Sequence, residues 1–370
     1  MFRTSLKTRL FEDGRMEIVD PDMESLPFLK SIDPGFRIKM GRLSNFSQPR
    51  VMASIMRRLP YKKGDLGEIS TTDLWMIHDK TLHFDGGLPS EGEVNLLDLK
   101  IELAKRELKE CRLCGRGCGV DRWLGERGFC ALGADGKVGE CFIHIAEEAP
   151  INPSQNIGVM GCGLQCRFCQ KYDLIDPKGQ GRPLEPSLWE ELDSRTARSL
   201  SFVGGNPDES VYGILGFLAH VPSSFKLPVV WNSNGYASRT VYRLLRGIVD
   251  AYVPDMKFFR SACSRDLAGC DNYFEMFRNG IEEMLEQRVP ILVRMLILPG
   301  HLECCHIPLI DFLSRYSNEL KLNLLSQYYP DYKVSSKDAP LNRRPSSLET
   351  EDLRFYAELK GGKSWLVVND

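Results

Sequence analysis

Three cysteines, Cys162, Cys166 and Cys169, stand at C-x3-C-x2-C spacing directly after the apolar stretch Ile157-Gly158-Val159-Met160-Gly161. Three thiols on a glycine-containing turn, at the end of a predicted strand, can converge on one soft metal centre and leave a coordination position free. A closed structural zinc site asks for four ligands. The run from Cys162 to Cys169 offers three, with no histidine beside it. The spacing therefore points to a centre with an open position, where chemistry can occur.

A second group comprises Cys111, Cys114, Cys118 and Cys130, with Cys141 further on. Four thiolates separated by glycine turns suit zinc, iron or a second iron-sulfur cluster, and such binding could contribute about 10 kcal/mol of folding energy. The alternative is a set of free buried thiols. Arg112, Arg116, Arg122 and Arg127 interleave with these cysteines, but no aromatic stacking series accompanies them, so an RNA-contacting module is not expected.

The elements that must position these groups read as follows. Residues 1–94 form an extension of mixed polarity to which no role can be given. Residues 95–150 hold an amphipathic helix over Leu96 to Leu108, with i, i+4 pairs such as Glu102 and Arg106, and then the Cys-rich module. From about residue 150, short apolar runs alternate with helical patterns, as repeated βα units do. Strands are predicted at Ile157 to Gly161, Leu200 to Val203, Pro228 to Trp231, Val249 to Val253, Ile291 to Leu298 and Leu322 to Leu325. Intervening helices are expected over Ser210 to His220 and Ser238 to Leu245, with Ser238 as an N-cap. Right-handed crossovers would wrap these units into an open, partial (β/α)6 barrel over residues 151–345, followed by a C-terminal segment over 346–370. The fold class is α/β.

Catalytic groups gather at the C-terminal ends of such strands, and those ends are polar here. They carry Gly204-Gly205-Asn206-Pro207, Asn232-Ser233-Asn234-Gly235, Asp255-Met256-Lys257, Pro299-Gly300-His301 and Ser326-Gln327-Tyr328. Turn chemistry or surface ion pairs explain each one singly; together they predict a shared pocket. Arg294 lies in an otherwise apolar strand, where an unpaired cation is costly, so it requires an anionic partner.

The 48 basic and 50 acidic residues nearly cancel, so no overall field argues for nucleic acid or an anionic membrane as the main partner. Twelve cysteines in a large chain without a secretory signal fit a reducing cytoplasm. Arg3, Lys7 and Arg9 faintly suggest a transit peptide, without its length or serine richness. No apolar run approaches the roughly 20 residues that span a bilayer.

Taken in order, several motifs resemble the radical S-adenosylmethionine superfamily, and within it the proteins named for similarity to pyruvate formate-lyase activating enzyme. They are Cys-x-Leu-Cys and Gly-Phe-Cys, His144-Ile145-Ala146-Glu147-Glu148, the three-cysteine loop, Trp231 to Tyr236, Pro254 to Lys257, Val293 to Gly300 and Gln327 to Pro330. The likeness covers roughly residues 108 to 345. It implies that Cys162, Cys166 and Cys169 hold three irons of a 4Fe-4S cluster, with S-adenosylmethionine chelating the fourth. An electron from a donor such as flavodoxin or ferredoxin would then cleave the cofactor to a 5'-deoxyadenosyl radical, which takes hydrogen from a substrate.

The same resemblance implies that Gly204, Gly205 and Asn206 contact the cofactor's amino group. Asn232, Asn234 and Arg294 would help hold its ribose and carboxylate, and Asp255 and Lys257 would lie where the substrate radical forms. Three positions depart from the usual pattern: Gly163 replaces an Asn, Gln170-Lys171 replaces Gln-Asn, and Asn206 replaces an acid. The main expectation is an activase-like enzyme acting on a protein glycine. Radical modification of a peptide, RNA or small metabolite is an alternative, and an electron-transfer or adaptor protein is another.

Overall fold

A computed structural model of the chain describes residues 7–10, 16–19, 49–62, 64–82, 92–176, 181–192 and 195–367. The basic stretch from Met1 to Phe11 lies largely outside these residues. A hairpin pairs β1 (Lys7–Leu10) with β2 (Met16–Val19). Next come α1 (Arg50–Met56), β3 (Arg58–Lys62), α2 (Thr71–Thr81) and β4 (Glu93–Asn95), with β3 antiparallel to β4.

The expected amphipathic helix is α3 (Leu96–Lys109). It starts where it does because the Asn95 side chain accepts from the Asp98 amide at 2.9 Å, while Asp98 accepts from the Asn95 amide at 3.0 Å. Its apolar face, Leu96, Leu97, Leu99, Leu103, Ala104 and Leu108, is fully buried. Each such leucine contributes about 1.5–3 kcal/mol. Packing against α1 and α2 ties the N-terminal segment to the rest of the chain.

The main sheet begins with β5 (Lys137–His144), β6 (Ser154–Val159), the short β7 (Arg182–Pro183), β8 (Ser199–Gly204), β9 (Val229–Ser233) and β10 (Ala251–Pro254). Strands β6, β8, β9 and β10 are parallel neighbours in that order. A second parallel set holds β11 (Leu292–Leu296), β12 (Lys321–Leu325) and β13 (Leu366–Val367). Parallel bridges from Tyr252 to Ile291 and from Asp255 to Arg294 join β10 to β11. The six expected barrel strands are thus β6, β8, β9, β10, β11 and β12, running in chain order.

Two edges were not expected. Strand β5 lies antiparallel to β6, with β7 on its far side, and β13 extends the other end. Most of β5 is half-buried, so it lacks the continuous apolar run by which a buried parallel strand announces itself. The crossover helices include α4 (Val211–Leu218), α5 (Arg239–Leu245), α6 (Ser261–Ala268), α7 (Tyr273–Glu286) and α8 (Ile307–Leu313), and α9 (Ser347–Gly361) follows β12.

Ser238 occupies the N-cap position of α5, but its side chain makes no capping bond. Instead its amide donates to Leu113 O at 2.8 Å, binding the helix start to the Cys-rich segment. One apolar core runs from Val51 to Leu366 and includes Cys111, Cys114, Cys162 and Cys166. No helix among the described residues is long and apolar enough to cross a membrane.

Candidate metal centre

The loop after β6 carries the three-cysteine motif at the C-terminal end of the barrel. Gly161 turns the chain with φ +84°, and an added Cβ there would meet Leu132 at 2.6 Å. The loop is then held from outside: the Gln165 amide donates to Ala268 O at 3.2 Å and the Arg167 amide to Leu267 O at 2.8 Å. Arg167 also pairs with Asp338 and, at 3.5 Å, with Asp266. Cys162 and Cys166 are buried and Cys169 is half-buried. Burial pushes all three thiols up, Cys166 to about 12, and each sulfur lies near enough to another for their thiolates to repel. Metal coordination relieves that penalty by taking the place of the protons.

Two donors already point at Cys162 Sγ, the Leu164 amide and Asn234 Nδ2, both at 3.3 Å. Such N–H contacts are what a metal-bound thiolate accepts. Beneath the loop lie Asp208 and Glu209, both buried. Asn206 donates to Asp208 at 3.0 Å and to Glu209 at 2.6 Å, and accepts from the Asn234 amide at 2.9 Å. Trp231 Nε1 donates to Asp208 at 2.7 Å, and the Gly163 amide to Glu209 at 2.7 Å. Burial raises both carboxyls, and Asp208 raises Glu209 further; the two steps of the pair move to about 6 and about 7.

Glycine at position 163 has a steric reason. An added Cβ would stand 2.5 Å from Glu209 Oε1 and 2.9 Å from Cys114 Sγ. Glu209 thus sits between the two cysteine groups, and sequence reading missed it. The signal was the Gly-Gly-Asn-Pro-Asp-Glu run, where the acid displaced from position 206 is supplied two and three residues later.

Asp255 and Lys257, after β10, form an ion pair at 2.7 Å. Burial works against the Lys257 charge, but Asp255 first and then Cys166 and Cys169 raise its pKa on balance. The pair therefore lies beside the cluster cysteines. Tyr273, fully buried, fixes the adjoining backbone: its hydroxyl donates to Asn234 O at 2.9 Å or Asp255 O at 2.8 Å and accepts from the Lys257 amide at 3.0 Å. Gly204 and Gly205 line the end of β8, where the Gly205 amide donates to Val159 O at 2.7 Å. An added Cβ on Gly205 would meet Gly161 O at 2.4 Å, so the two strand ends touch through glycine. Asn232 is half-buried on β9.

Arg294 has the anionic partners its setting requires, and they are internal. Nε donates to Glu148 Oε1 at 2.9 Å, and the terminal nitrogen reaches both Glu147 and Glu148. Asn323 of β12 donates to Glu148 at 2.7 Å, and Asn156 of β6 to Glu147 at 3.3 Å. The guanidinium charge is thus satisfied without the cofactor carboxylate expected for it.

In the Cys-rich module, Cys111, Cys114 and Cys130 are buried and Cys118 is exposed, its sulfur accepting from the Phe129 amide at 3.4 Å. Buried Arg122 donates to Gly133 O and reaches Cys111 Sγ at 3.7 Å. Burial raises Cys114, and it raises Cys130 to about 11. Cys130 and Cys111 lie near enough to Cys114 to raise it further. The module is tied to the barrel: Cys114 bridges Ala237, and Arg116 Nε donates to Gly163 O at 2.7 Å. Cys141 lies on β5, where Gln155 donates to its sulfur at 3.4 Å.

A barrel with an open-position thiol loop at its C-terminal end defines a class of iron-sulfur protein. Residues 156–253 match the family described as a 4Fe-4S single cluster domain. An uncharacterised protein of Methanocaldococcus jannaschii is 32% identical over 337 residues, 87% of this chain and 97% of that protein. The chain belongs to that protein's family. Among solved structures, it is similar to TYW1 with a lysine-pyruvate adduct bound (TM-score 0.40, 13% identity, 56% of this chain and 74% of that one). It is also similar to methylornithine synthase (TM-score 0.36, 12% identity, 82% and 84%). The three thiols, two of them buried, and the donors aimed at Cys162 fit a 4Fe-4S cluster.

Proposed function

We propose that this chain is an activase-like radical S-adenosylmethionine enzyme that removes hydrogen from a glycine of a partner protein, with flavodoxin or ferredoxin as electron donor in a reducing cytoplasm. When bound, the cluster and S-adenosylmethionine supply the carbon radical that takes the hydrogen. Cys162, Cys166 and Cys169 would hold the cluster, while Gly204, Gly205, Asn232 and Asn234 offer the cofactor a lining at the strand ends. The single observation carrying this reading is the Asp255–Lys257 pair, which neighbours Cys166 and Cys169 at the end of β10. There it can orient a peptide backbone, with the carboxylate accepting an amide N–H and the ammonium donating to a carbonyl.

The test is label transfer. Reduced, anaerobic protein is incubated with S-adenosylmethionine and candidate partners deuterated at glycine, and deuterium is expected in 5'-deoxyadenosine. Asp255→Asn should retain iron and cofactor binding, yet lower substrate-coupled transfer about 100-fold relative to uncoupled cofactor cleavage. Product formation without label transfer would rule out abstraction at that carbon. Failure to make any 5'-deoxyadenosine would leave an electron-transfer role.

A further inference from the structure

We propose that Cys263, His301, Cys304 and Cys305 bind one zinc ion in a closed tetrahedral site that clamps two loops at the barrel's C-terminal rim. These residues belong to neither cysteine group described above. Cys263 lies in the first turn of α6, which follows β10. The other three come after β11, where a single π-helical turn, Leu302–His306, precedes α8. That turn is built by the amides of Cys305 and His306, which both donate to His301 O at 3.0 and 3.1 Å. Buried His306 braces it, contacting His301 O at 2.9 Å through Nδ1 and Leu296 O at 3.1 Å through Nε2. Isolated π turns of this kind concentrate at functional sites.

The donor atoms of all four residues lie within 4.8 Å of one another. Cys263 Sγ is 3.6 Å from Cys304 Sγ, which is 3.3 Å from His301 Nδ1. Zinc at about 2.3 Å from sulfur and about 2.0 Å from nitrogen places tetrahedral ligands roughly 3.5–3.8 Å apart. The spacing suits one ion; thiolates on a 4Fe-4S cluster bind separate irons and stand wider. It is also too long for a disulfide, and all these cysteines are free. The amides of Phe259 and Arg260 donate to Cys305, the outer contacts a zinc thiolate uses. Three thiolates and an imidazole complete the coordination sphere, so the site is structural. Its role is to hold the segment carrying Asp255 and Lys257 against the loop after β11.

The experiment uses the full chain with Cys162, Cys166 and Cys169 replaced by Ala, which removes the radical cluster and leaves the Cys-rich module intact. Adding Cys304→Ser to this chain should lower its zinc content by about one equivalent. Zinc should also protect Cys263, Cys304 and Cys305 from iodoacetamide in the parent chain, with protection lost after chelation, as peptide masses would show. This second measurement needs no variant at the new site. Zinc content unaffected by Cys304→Ser, or equal alkylation with and without the chelator, would overturn the assignment. So would recovery of Cys263 and Cys304 as a disulfide from anaerobically prepared protein.

Discussion

Two adjacent acidic pairs lie buried in this barrel, Glu147-Glu148 and Asp208-Glu209, and their surroundings drive Glu147 one way and the second pair the other. Burial alone would raise Glu147, but Arg294, helped by His144, holds it well below the usual carboxylate range. Asp208 and Glu209 have amides, an indole and each other, but among the described residues no ion pair with a cation, and burial raises both. The first pair joins β6, β11 and β12 as structural cement. The second lies beneath the cluster loop, with Glu209 acting on Cys162, Cys114 and Cys130. Buried carboxylates thus do different work, and a facing cation decides which.

The largest effect should come from breaking the cemented pair. Arg294→Met strips the guanidinium from two buried carboxylates, leaving them only His144, Asn156 and Asn323, at a cost of about 3–5 kcal/mol in chemical denaturation. Adding Glu147→Gln and Glu148→Gln should recover much of that loss, because the penalty belongs to the stranded charges. An unchanged denaturation midpoint in Arg294→Met would mean that the pairing is not what closes the barrel.

A smaller effect should separate the pairs by pH. Glu147 has a depressed folded pKa, so its stabilisation is present above the ordinary Glu value of 4.5 and is lost as pH falls below it. Asp208 and Glu209 have raised pKa values, so the folded state binds more protons than the unfolded chain. Their contribution therefore declines as pH rises from the ordinary values of 3.8 and 4.5 to about 7. Metal-free, reduced protein should lose stability across that window, and the Asp208→Asn, Glu209→Gln double variant should flatten the loss. A slope that survives in the variant would assign it to other groups.

Much of the barrel was legible because parallel strands covered on both faces read as continuous apolar runs ended by Gly, Pro and Asn, as in Leu200 to Val203 and Pro228 to Trp231. The cluster cysteines were legible because their ligand spacing is local. Glu209 was hidden: an acidic residue in a polar turn looks solvated, and only the approach of Gly163 and Cys114 reveals its burial. Arg294 was recognised as needing an anion, but Glu147 and Glu148 lie 147 and 146 positions away. Cys263 and Cys304 are 41 positions apart on different loops, and no local spacing joins them.

The smallest expected effect concerns Asn206, which distinguishes the two pairs most finely. Its Nδ2 group donates to both Asp208 and Glu209, partly standing in for the cation they lack, while its Oδ1 accepts from Asn234. Asn206→Leu removes both donors at similar volume, so each carboxylate loses a bond that favoured its charged form, and both pKa values should climb further. The stability cost should be about 1–3 kcal/mol at neutral pH, where the charged form is otherwise populated, and less at pH 5, where the carboxyls are already neutral. Infrared spectroscopy of the protonated carboxyl band should find it persisting to higher pH than in the unmodified chain. A downward or absent shift would mean that Asn206 serves only to hold Asn234, and that another group sets the charge beneath the cluster loop.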